Sequence, residues 1–284
     1  MTEEVTLRQA ITSSFSGLTK KQKEVARFVL DGEYFVAFAS VAEVAQKVGV
    51  STATVVRFCQ TLGYEGYPHL QAAIRQTFSR LTTTVQRLEA RLTSPLPESD
   101  LLARVCATDI ENIKLTRELV DAETFEAAVT VICRATGVLV MGEGLSAPPA
   151  LFFAHSLKVM GFPVQVVTAG GEPLSLELSI LRPSDLLVGM SFWRHFRETV
   201  EAMSWAKEIG TKRIAITDSE VSPLAQLADY VFVASVNGVA HSSSPIAFIS
   251  LINALVAALS LREPQQTLAT LCKVDAARES KLLK

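Results

Sequence analysis

The first 92 residues carry apolar side chains at helical spacing. Apolar positions recur at intervals of three and four, and no stretch alternates apolar with polar residues as a half-buried strand does. The pattern predicts a small all-α unit that includes a long polar helix from residue 67 to about residue 92. The positions that define the spacing are Val25, Phe28, Val29, Val41, Val44, Ala45 and Val48.

A different pattern follows a short polar segment. Residues 93–100 read TSPLPESD, and two prolines among helix-capping residues predict a linker. Helices are predicted over 101–119 and 123–135, and five apolar runs bounded by Gly, Pro or Asp then alternate with helix-length segments. Such alternation is typical of βαβ units and a parallel sheet that is buried on both faces. The runs are residues 137–141, 164–168, 185–190, 213–217 and 230–234.

The chain therefore divides into a helical domain (residues 1–92), a linker (93–100) and an α/β domain (101–284). A length of 284 residues and a hydrophobic content of 49% suit two packed cores. The longest apolar stretch, residues 246–260, is short for a membrane span and contains Asn253, so it predicts a core helix. The N-terminus MTEEVTLRQ lacks signal-peptide features, and we expect a cytoplasmic protein with no membrane partner.

Charge is distributed unevenly between the two domains. The first 92 residues contain 11 Lys and Arg against 8 Asp and Glu, a net charge of +3, and the remainder carries −5. The basic end is the candidate for contact with a polyanion. The four cysteines form no CxxC pair and the four histidines are dispersed, so we expect free thiols and no metal site.

Residues 40–63, SVAEVAQKVGVSTATVVRFCQTLG, contain two short amphipathic segments joined at Gly49. This layout is that of a helix-turn-helix, whose second helix enters the DNA major groove. Ser51 is placed to cap the second helix. Helical periodicity puts one apolar stripe of that helix inward and a polar face outward. The predicted inward residues are Val55, Phe58, Cys59 and Leu62.

The outward face offers groups that match base edges and phosphates. Arg57 can pair with guanine and Gln60 with adenine, while a threonine or alanine methyl can meet thymine and a serine or threonine hydroxyl can hold phosphate. By periodicity alone, the same residues also fit the solvated face of any helical hairpin. The predicted DNA contacts are Ser51, Thr52, Ala53, Thr54, Arg57 and Gln60.

The stretches LTKKQKEVARFVL and VAEVAQKVGVSTATVVRFCQTLGYEGY resemble the N-terminal domain of RpiR-type regulators, over about residues 18–70. The resemblance implies a helix-turn-helix whose residues 51–60 face a double-stranded DNA operator. It therefore favours DNA binding over the solvated hairpin.

A glycine turn, Gly142-Glu-Gly144-Leu-Ser146, follows the first predicted strand and would let a ligand approach the backbone. The third glycine of a dinucleotide fingerprint is missing, and no acidic residue lies at a strand end about 20 residues further on. NAD is a poor match, and we predict no cofactor.

This turn, together with DLLVGMS and KEIGTKRIAITDSEVSPLAQLADYVF, resembles the sugar-isomerase (SIS) domain of RpiR-type regulators over about residues 130–261. The resemblance implies a five-stranded parallel sheet flanked by helices. It also implies a homodimer or higher homo-oligomer that binds phosphosugars, a carbohydrate derivative, at the carboxyl ends of the strands.

The sequence departs from the phosphate loop of that family. The loop typically reads Ser-x-Ser-Gly-x-Thr, and the four corresponding positions here hold Ser191, Trp193, Arg194 and Phe196. Only the first hydroxyl is kept. Prolines at residues 148 and 149 also remove amide donors from the first turn of the helix after Ser146.

Arg194, His195 and Arg197 still suit a small anion, a phosphosugar or a carboxylate, held by guanidinium groups rather than by amides. Two alternatives stay open: a ligand-free dimerisation scaffold, and a phosphosugar isomerase with Glu143 and His195 as its acid/base candidates. We expect a regulator rather than an enzyme, with no catalytic residues. The predicted effector contacts are Gly142, Gly144, Ser146, Ser191, Trp193, Arg194, His195, Arg197, Ser242 and Ser243.

Overall fold

The computed structural model describes residues 7–31, 33–81, 84–93 and 100–279. The chain forms two compact units, Met1–Leu102 with Val239–Ser242, and Ala103–Gly238 with Ser243–Lys284. Most of the predicted linker, residues 94–99, lies outside the described residues. The boundaries of the linker stay a prediction.

The described residues between 7 and 93 in the first unit are mainly helical, as their periodicity predicts. The long polar helix predicted over residues 67–92 is described as two helices, and residues 82–83 between them lie outside the described ranges. The helices are α1 (Leu7–Ser14), α2 (Lys20–Asp31), α3 (Glu33–Phe38), α4 (Val41–Val48), α5 (Thr52–Thr61), α6 (Tyr67–Leu81) and α7 (Thr84–Thr93), with a 3-10 turn at Phe15–Gly17.

Two polar side chains of α6 fasten α3 to the core of this unit. The Tyr67 hydroxyl lies 3.0 Å from the carbonyl oxygen of Val36 and 2.8 Å from that of Ala39. The Gln71 amide nitrogen donates to the same two oxygens. The last carbonyls of a helix have no partner within the helix, so these bonds satisfy groups that burial would otherwise leave unpaired. Tyr67, which closes the sequence stretch LGYEGY, is therefore a structural residue.

The second unit alternates strands with helices after two leading helices. Each of the five predicted strands is present within one residue of its expected ends. The elements are α8 (Leu101–Leu119), α9 (Ala122–Arg134), β1 (Val138–Gly142), α10 (Ala147–Val159), β2 (Val164–Val167), α11 (Glu172–Ile180), β3 (Leu186–Ser191), α12 (Arg197–Glu208), β4 (Lys212–Thr217), β5 (Tyr230–Val233), α13 (Ile246–Arg262) and α14 (Pro264–Arg278).

The five strands pair in parallel in the order β2-β1-β3-β4-β5. Alternate residues of the sheet face two separate apolar cores. Val140 and Val188 belong to the core that includes α9, α10 and α13, whereas Leu139 and Leu187 belong to the core that includes α12. Both faces are thus covered, which confirms the predicted α/β class.

The apolar stretch at residues 246–260 lies within α13, where Phe248, Ile252 and Leu255 are buried in the domain core. Across the described residues, no single helix has the length and apolar character needed to cross a membrane. The pair α13 and α14 meets that test only when the two are taken together, and they are bent by 104° at the break.

Candidate functional site

The turn between α4 and α5 is built by local hydrogen bonds. Ser40 and Glu43 form a reciprocal capping box at the start of α4, with the Ser40 amide 2.7 Å from the Glu43 carboxylate. At the other end, Gly49 adopts the left-handed conformation, with φ of 75°. The Val50 amide then donates to the Ala45 carbonyl oxygen at 2.9 Å and closes the turn. Glycine tolerates this backbone conformation better than any other residue.

Helix α5 presents its faces as the sequence predicts. The Ser51 hydroxyl accepts a hydrogen bond from the Thr54 amide at 3.3 Å and so caps the helix. Val55, Phe58 and Cys59 are buried, and Leu62 is half-buried beside them. Burial raises the pKa of the Cys59 thiol to about 12, which keeps it protonated and unreactive. On the other face Ser51, Thr52, Ala53, Arg57 and Gln60 are exposed, and Thr54 is half-buried.

The carboxyl end of α5 contacts the beginning of α2. The Gln22 amide nitrogen donates to the Thr61 hydroxyl oxygen at 3.1 Å, and that hydroxyl donates to the Arg57 carbonyl oxygen at 2.8 Å. Gln22 itself caps α2 together with Thr19, whose backbone amide donates to the Gln22 side chain at 3.0 Å. The contact between Gln22 and Thr61 joins residues 39 positions apart, so no local sequence pattern indicates it.

In the second unit, the strand order reverses between β1 and β3, and this switch point is where open α/β sheets usually bind ligands. Gly142 ends β1, and a Cβ there would lie 2.5 Å from the Ser146 carbonyl oxygen, so only glycine fits. Gly144 has φ of 57°, and the Phe196 ring lies against it. Ser146 is buried directly before α10. The structure therefore brings the glycine turn after β1 to the loop after β3.

Glu143, the second residue of this turn, is buried. Its carboxylate accepts a hydrogen bond of 2.6 Å from the hydroxyl of Thr199, itself buried in the first turn of α12. A charge-assisted bond of this kind holds the carboxylate in one position. Glu143 was an acid/base candidate on sequence, but its carboxylate is engaged in joining the β1 turn to α12. Sequence reasoning missed Thr199, which lies 56 residues away.

In the loop after β3, two backbone amides donate hydrogen bonds to groups within the protein. Trp193 has a left-handed φ of 66°, unusual for a residue with a side chain, and the Arg194 amide donates back to the Phe192 carbonyl oxygen at 2.7 Å in a γ-turn. The Trp193 amide donates to the Asp218 carboxylate at 2.8 Å. Two backbone amides of the segment that corresponds to the family's phosphate loop therefore already have acceptors, and one of these acceptors is the Asp218 carboxylate.

His195 lies between Ser191 and Asp218. Its Nδ1 is 3.0 Å from the Ser191 hydroxyl oxygen and its Nε2 is 3.8 Å from the Asp218 carboxylate. Burial lowers the pKa of His195, and the negative charge of Asp218 opposes that effect. Asp218, which directly follows β4, is a site residue that sequence reasoning missed. Its place at the carboxyl end of a parallel strand was a usable signal.

The predicted cations of this site are accessible. Arg194 is exposed, with its guanidinium carbon 5.0 Å from the centroid of the Trp193 ring, and Arg197 is exposed as the first residue of α12. Ser243 is buried in the second unit, whereas Ser242 belongs to the segment grouped with the first. The role of these two arginines and two serines as effector contacts stays a prediction. Within the described ranges, no three His, Cys, Asp or Glu side chains are arranged to hold a metal ion.

Comparison with known proteins identifies both units. The family model described as the helix-turn-helix domain of the rpiR family matches residues 5–80, and the SIS domain model matches residues 132–261. The solved sugar isomerase domain of an RpiR transcription factor from Sphaerobacter thermophilus is 45% identical, with a TM-score of 0.61. That match covers 62% of this chain and 99% of that one. The chain belongs to the RpiR family.

Other relatives extend across both units of this RpiR-family chain. The regulator HexR of Pseudomonas aeruginosa is 28% identical over 222 residues, covering 78% of this chain and 75% of HexR. An uncharacterised helix-turn-helix regulator of Haemophilus influenzae is 28% identical over 224 residues, covering 78% of this chain and 77% of the relative. The solved NanR of Vibrio vulnificus, in complex with ManNAc-6P, shares the fold at 20% identity and a TM-score of 0.60, covering 98% of this chain and all of that one.

The resemblance to RpiR-type regulators inferred from the sequence is thus confirmed, as is the fold class. This RpiR-family protein is a transcriptional regulator with a helix-turn-helix domain and a SIS domain. The regulators it matches are named for transcription control, not for catalysis.

Proposed function

We propose that this regulator reads a specific operator sequence through α5, with Ser51, Thr52, Ala53, Thr54, Arg57 and Gln60 as its DNA contacts. The observation that carries the proposal is the accessible Arg57–Gln60 pair on a capped helix whose opposite face is buried. Residues three apart on a helix share a face, so both side chains can reach base edges in one groove.

Substitution of Arg57 tests the proposal that α5 contacts the operator bases. The operator duplex is first selected from a random-sequence library with the purified protein. Arg57→Ala should then weaken binding to it by about 1 to 3 kcal/mol and relax specificity at one base pair, because a bidentate contact with guanine is lost. Arg278→Ala, a matched change at an exposed position at the end of α14, should leave affinity unchanged. An unchanged affinity and footprint for Arg57→Ala would remove Arg57 from base readout.

The SIS domain is proposed to sense a small anionic metabolite, a phosphosugar or a carboxylate, at the carboxyl ends of β1 and β3. Exposed Arg194 and Arg197 on either side of His195 support an anion. Because the Trp193 amide is bonded to Asp218, the effector would be held by guanidinium groups rather than by the loop amides.

A thermal-shift screen of phosphosugars, sugar acids and small carboxylates tests the effector proposal. A true effector should raise the unfolding temperature and change the affinity for the selected operator. Arg194→Ala should weaken that response, while Arg134→Ala, remote in sequence at the end of α9, should not. If no compound changes either quantity, the SIS domain acts as a ligand-free dimerisation scaffold.

The protein is proposed to act as a homodimer or higher homo-oligomer. On α8 the side chains of Ile110 and Ile113 are 54% and 36% exposed, and Ile113 lines an apolar groove of about 510 Å³ between α8, α9 and α13. A second copy that covers this surface would remove apolar area from water. Ile113→Glu should lower the mass measured by light scattering, whereas Glu111→Gln on the same helix should not.

No catalytic role is proposed. The buried Glu143 carboxylate is bonded to Thr199, and an isomerase needs a group that is free to exchange protons with its substrate. The purified protein should therefore bind a phosphosugar or a sugar acid without converting it, as followed by NMR of the sugar over many hours. Conversion above the background rate that disappears with Glu143→Gln would establish the isomerase alternative.

A further inference from the structure

The positive charge of the first unit is concentrated at the beginning of α2. Residues 20–27 contain Lys20, Lys21, Lys23 and Arg27 against the single carboxylate of Glu24, a net charge of +3. The first 92 residues as a whole also carry +3, so the rest of that region is balanced. This segment is the basic patch of the unit, and the DNA contacts predicted on α5 do not include it.

The placement of the lysines is unfavourable for the fold alone. They occupy the first turn of α2, which has no acidic residue, and cations there oppose the partial positive charge of a helix N-terminus. Lys23 and Arg27 lie over the Phe15 ring, at 5.6 and 5.9 Å from its centroid. Lys20 and Lys21 are exposed, and among the described side chains no carboxylate pairs with either. A polyanion partner would turn this unfavourable arrangement into a favourable one.

The patch lies beside the carboxyl end of α5. The hydrogen bond from Gln22 to Thr61 fixes the first turn of α2 against the last turn of α5. A helix of ten residues is about 15 Å long, so its carboxyl end reaches the edge of a major groove, where the phosphate backbone runs. Lys21 and Lys20 lie one and two residues before Gln22, so both belong to the turn of α2 that contacts the carboxyl end of α5.

We propose that Lys20 and Lys21 on α2 contact the phosphate backbone of DNA beside the recognition helix and supply sequence-independent affinity, while α5 supplies sequence readout. The inference rests on the proposed function of α5 in operator binding. Phosphate contacts release condensed counterions, so the logarithm of affinity falls with the logarithm of salt concentration by about 0.9 for each contact.

The test measures the full-length protein on a fluorescent 30-base-pair duplex of arbitrary sequence, by anisotropy, across a series of NaCl concentrations. Removing two contacts in the double variant K20Q/K21Q should reduce the salt slope by about 1.8, which corresponds to a loss of about 60-fold near 0.1 M salt. K20R/K21R should retain both slope and affinity. K207Q/K273Q removes two exposed lysines from the second unit and the same total charge, and it should behave as wild type.

Each outcome decides the proposal. An unchanged slope in K20Q/K21Q, or an equal decrease in K207Q/K273Q, would overturn it, since the effect would then be absent or due to total charge. If circular dichroism shows that K20Q/K21Q does not fold, the single variants K20Q and K21Q are measured instead. Each should show about half of the slope reduction predicted for the double variant. Failure of the proposed function looks different, because wild type would then select no sequence from a random library, whatever the salt slope on arbitrary DNA.

Discussion

Thr199→Val isolates one buried hydrogen bond at the switch point. The Thr199 hydroxyl is the donor to the Glu143 carboxylate at 2.6 Å, and the two residues are 1% and 9% exposed. Valine keeps the shape of threonine and removes only the donor, so no cavity forms. The carboxylate then stays buried with one hydrogen bond fewer, and water has little access to replace the hydroxyl.

The expected cost follows from the charge on the acceptor. A hydrogen bond to an ionised group contributes about 1.5 to 3 kcal/mol to folding, against about 0.5 to 1.5 kcal/mol between neutral partners. Thr211 provides the neutral comparison, because its buried hydroxyl donates to the Arg182 carbonyl oxygen at 2.8 Å. We expect Thr199→Val to lower the free energy of unfolding by about 2 kcal/mol, roughly twice the effect of Thr211→Val.

Urea unfolding followed by tryptophan fluorescence measures this difference. The two tryptophans of the chain, Trp193 and Trp205, are both in the α/β unit, so the signal reports that unit and not the helix-turn-helix unit. Equal m-values would show that the transition is otherwise unchanged. A loss below about 0.5 kcal/mol for Thr199→Val, or one smaller than that of Thr211→Val, would refute a charge-assisted bond in a dry environment.

Further predictions concern the turn and the loop. Gly49→Ala should cost about 1 kcal/mol and weaken DNA binding through loss of folded protein, measured by circular dichroism of the helical unit, because φ at this position is 75°. Asp218→Ala should destabilise the α/β unit by about 1 to 3 kcal/mol in urea, because it removes the carboxylate that accepts from the Trp193 amide, whereas Asp218→Asn, which keeps an acceptor, should cost less. Burial lowers the pKa of His195, so the folded state favours the neutral ring. The associated stability is present above the ordinary pKa of histidine and is lost as the pH falls through it toward the folded-state value. Between about pH 7.5 and pH 5.5 the wild type should therefore lose more stability than His195→Gln; equal losses would contradict this assignment.

The elements of both units could be predicted because their signals are local. The strands could be predicted because each is an apolar run bounded by Gly, Pro or Asp residues. Ser51 and Gly49 mark the turn of the helix-turn-helix. The outward face of α5 could be predicted from helical periodicity alone. Side chains whose roles follow from their own helix or strand are therefore the ones that the sequence reveals.

The contacts that shape the proposed effector site join distant parts of the chain. Asp218 meets Trp193 across 25 residues, and Thr199 meets Glu143 across 56. No periodicity encodes such pairs, because they depend on which strands are neighbours in the sheet. The hydrogen bond between Gln22 and Thr61 is also long-range and could not be predicted from periodicity. The sequence therefore shows the basic patch on α2 only as a mild charge excess.

These long-range contacts bear on the choice between an altered effector site and a site that has lost its ligand. The left-handed backbone conformation of Trp193 costs about 1 to 3 kcal/mol relative to an ordinary conformation. In this chain that cost is offset by the bond from its amide to Asp218, which in turn lies beside His195. Random loss of a binding site would leave the departures from the family loop unrelated to one another. Here Trp193, His195 and Asp218 form one interdependent set with exposed Arg194 beside it, and this arrangement supports the proposal of a site adapted to a different anion.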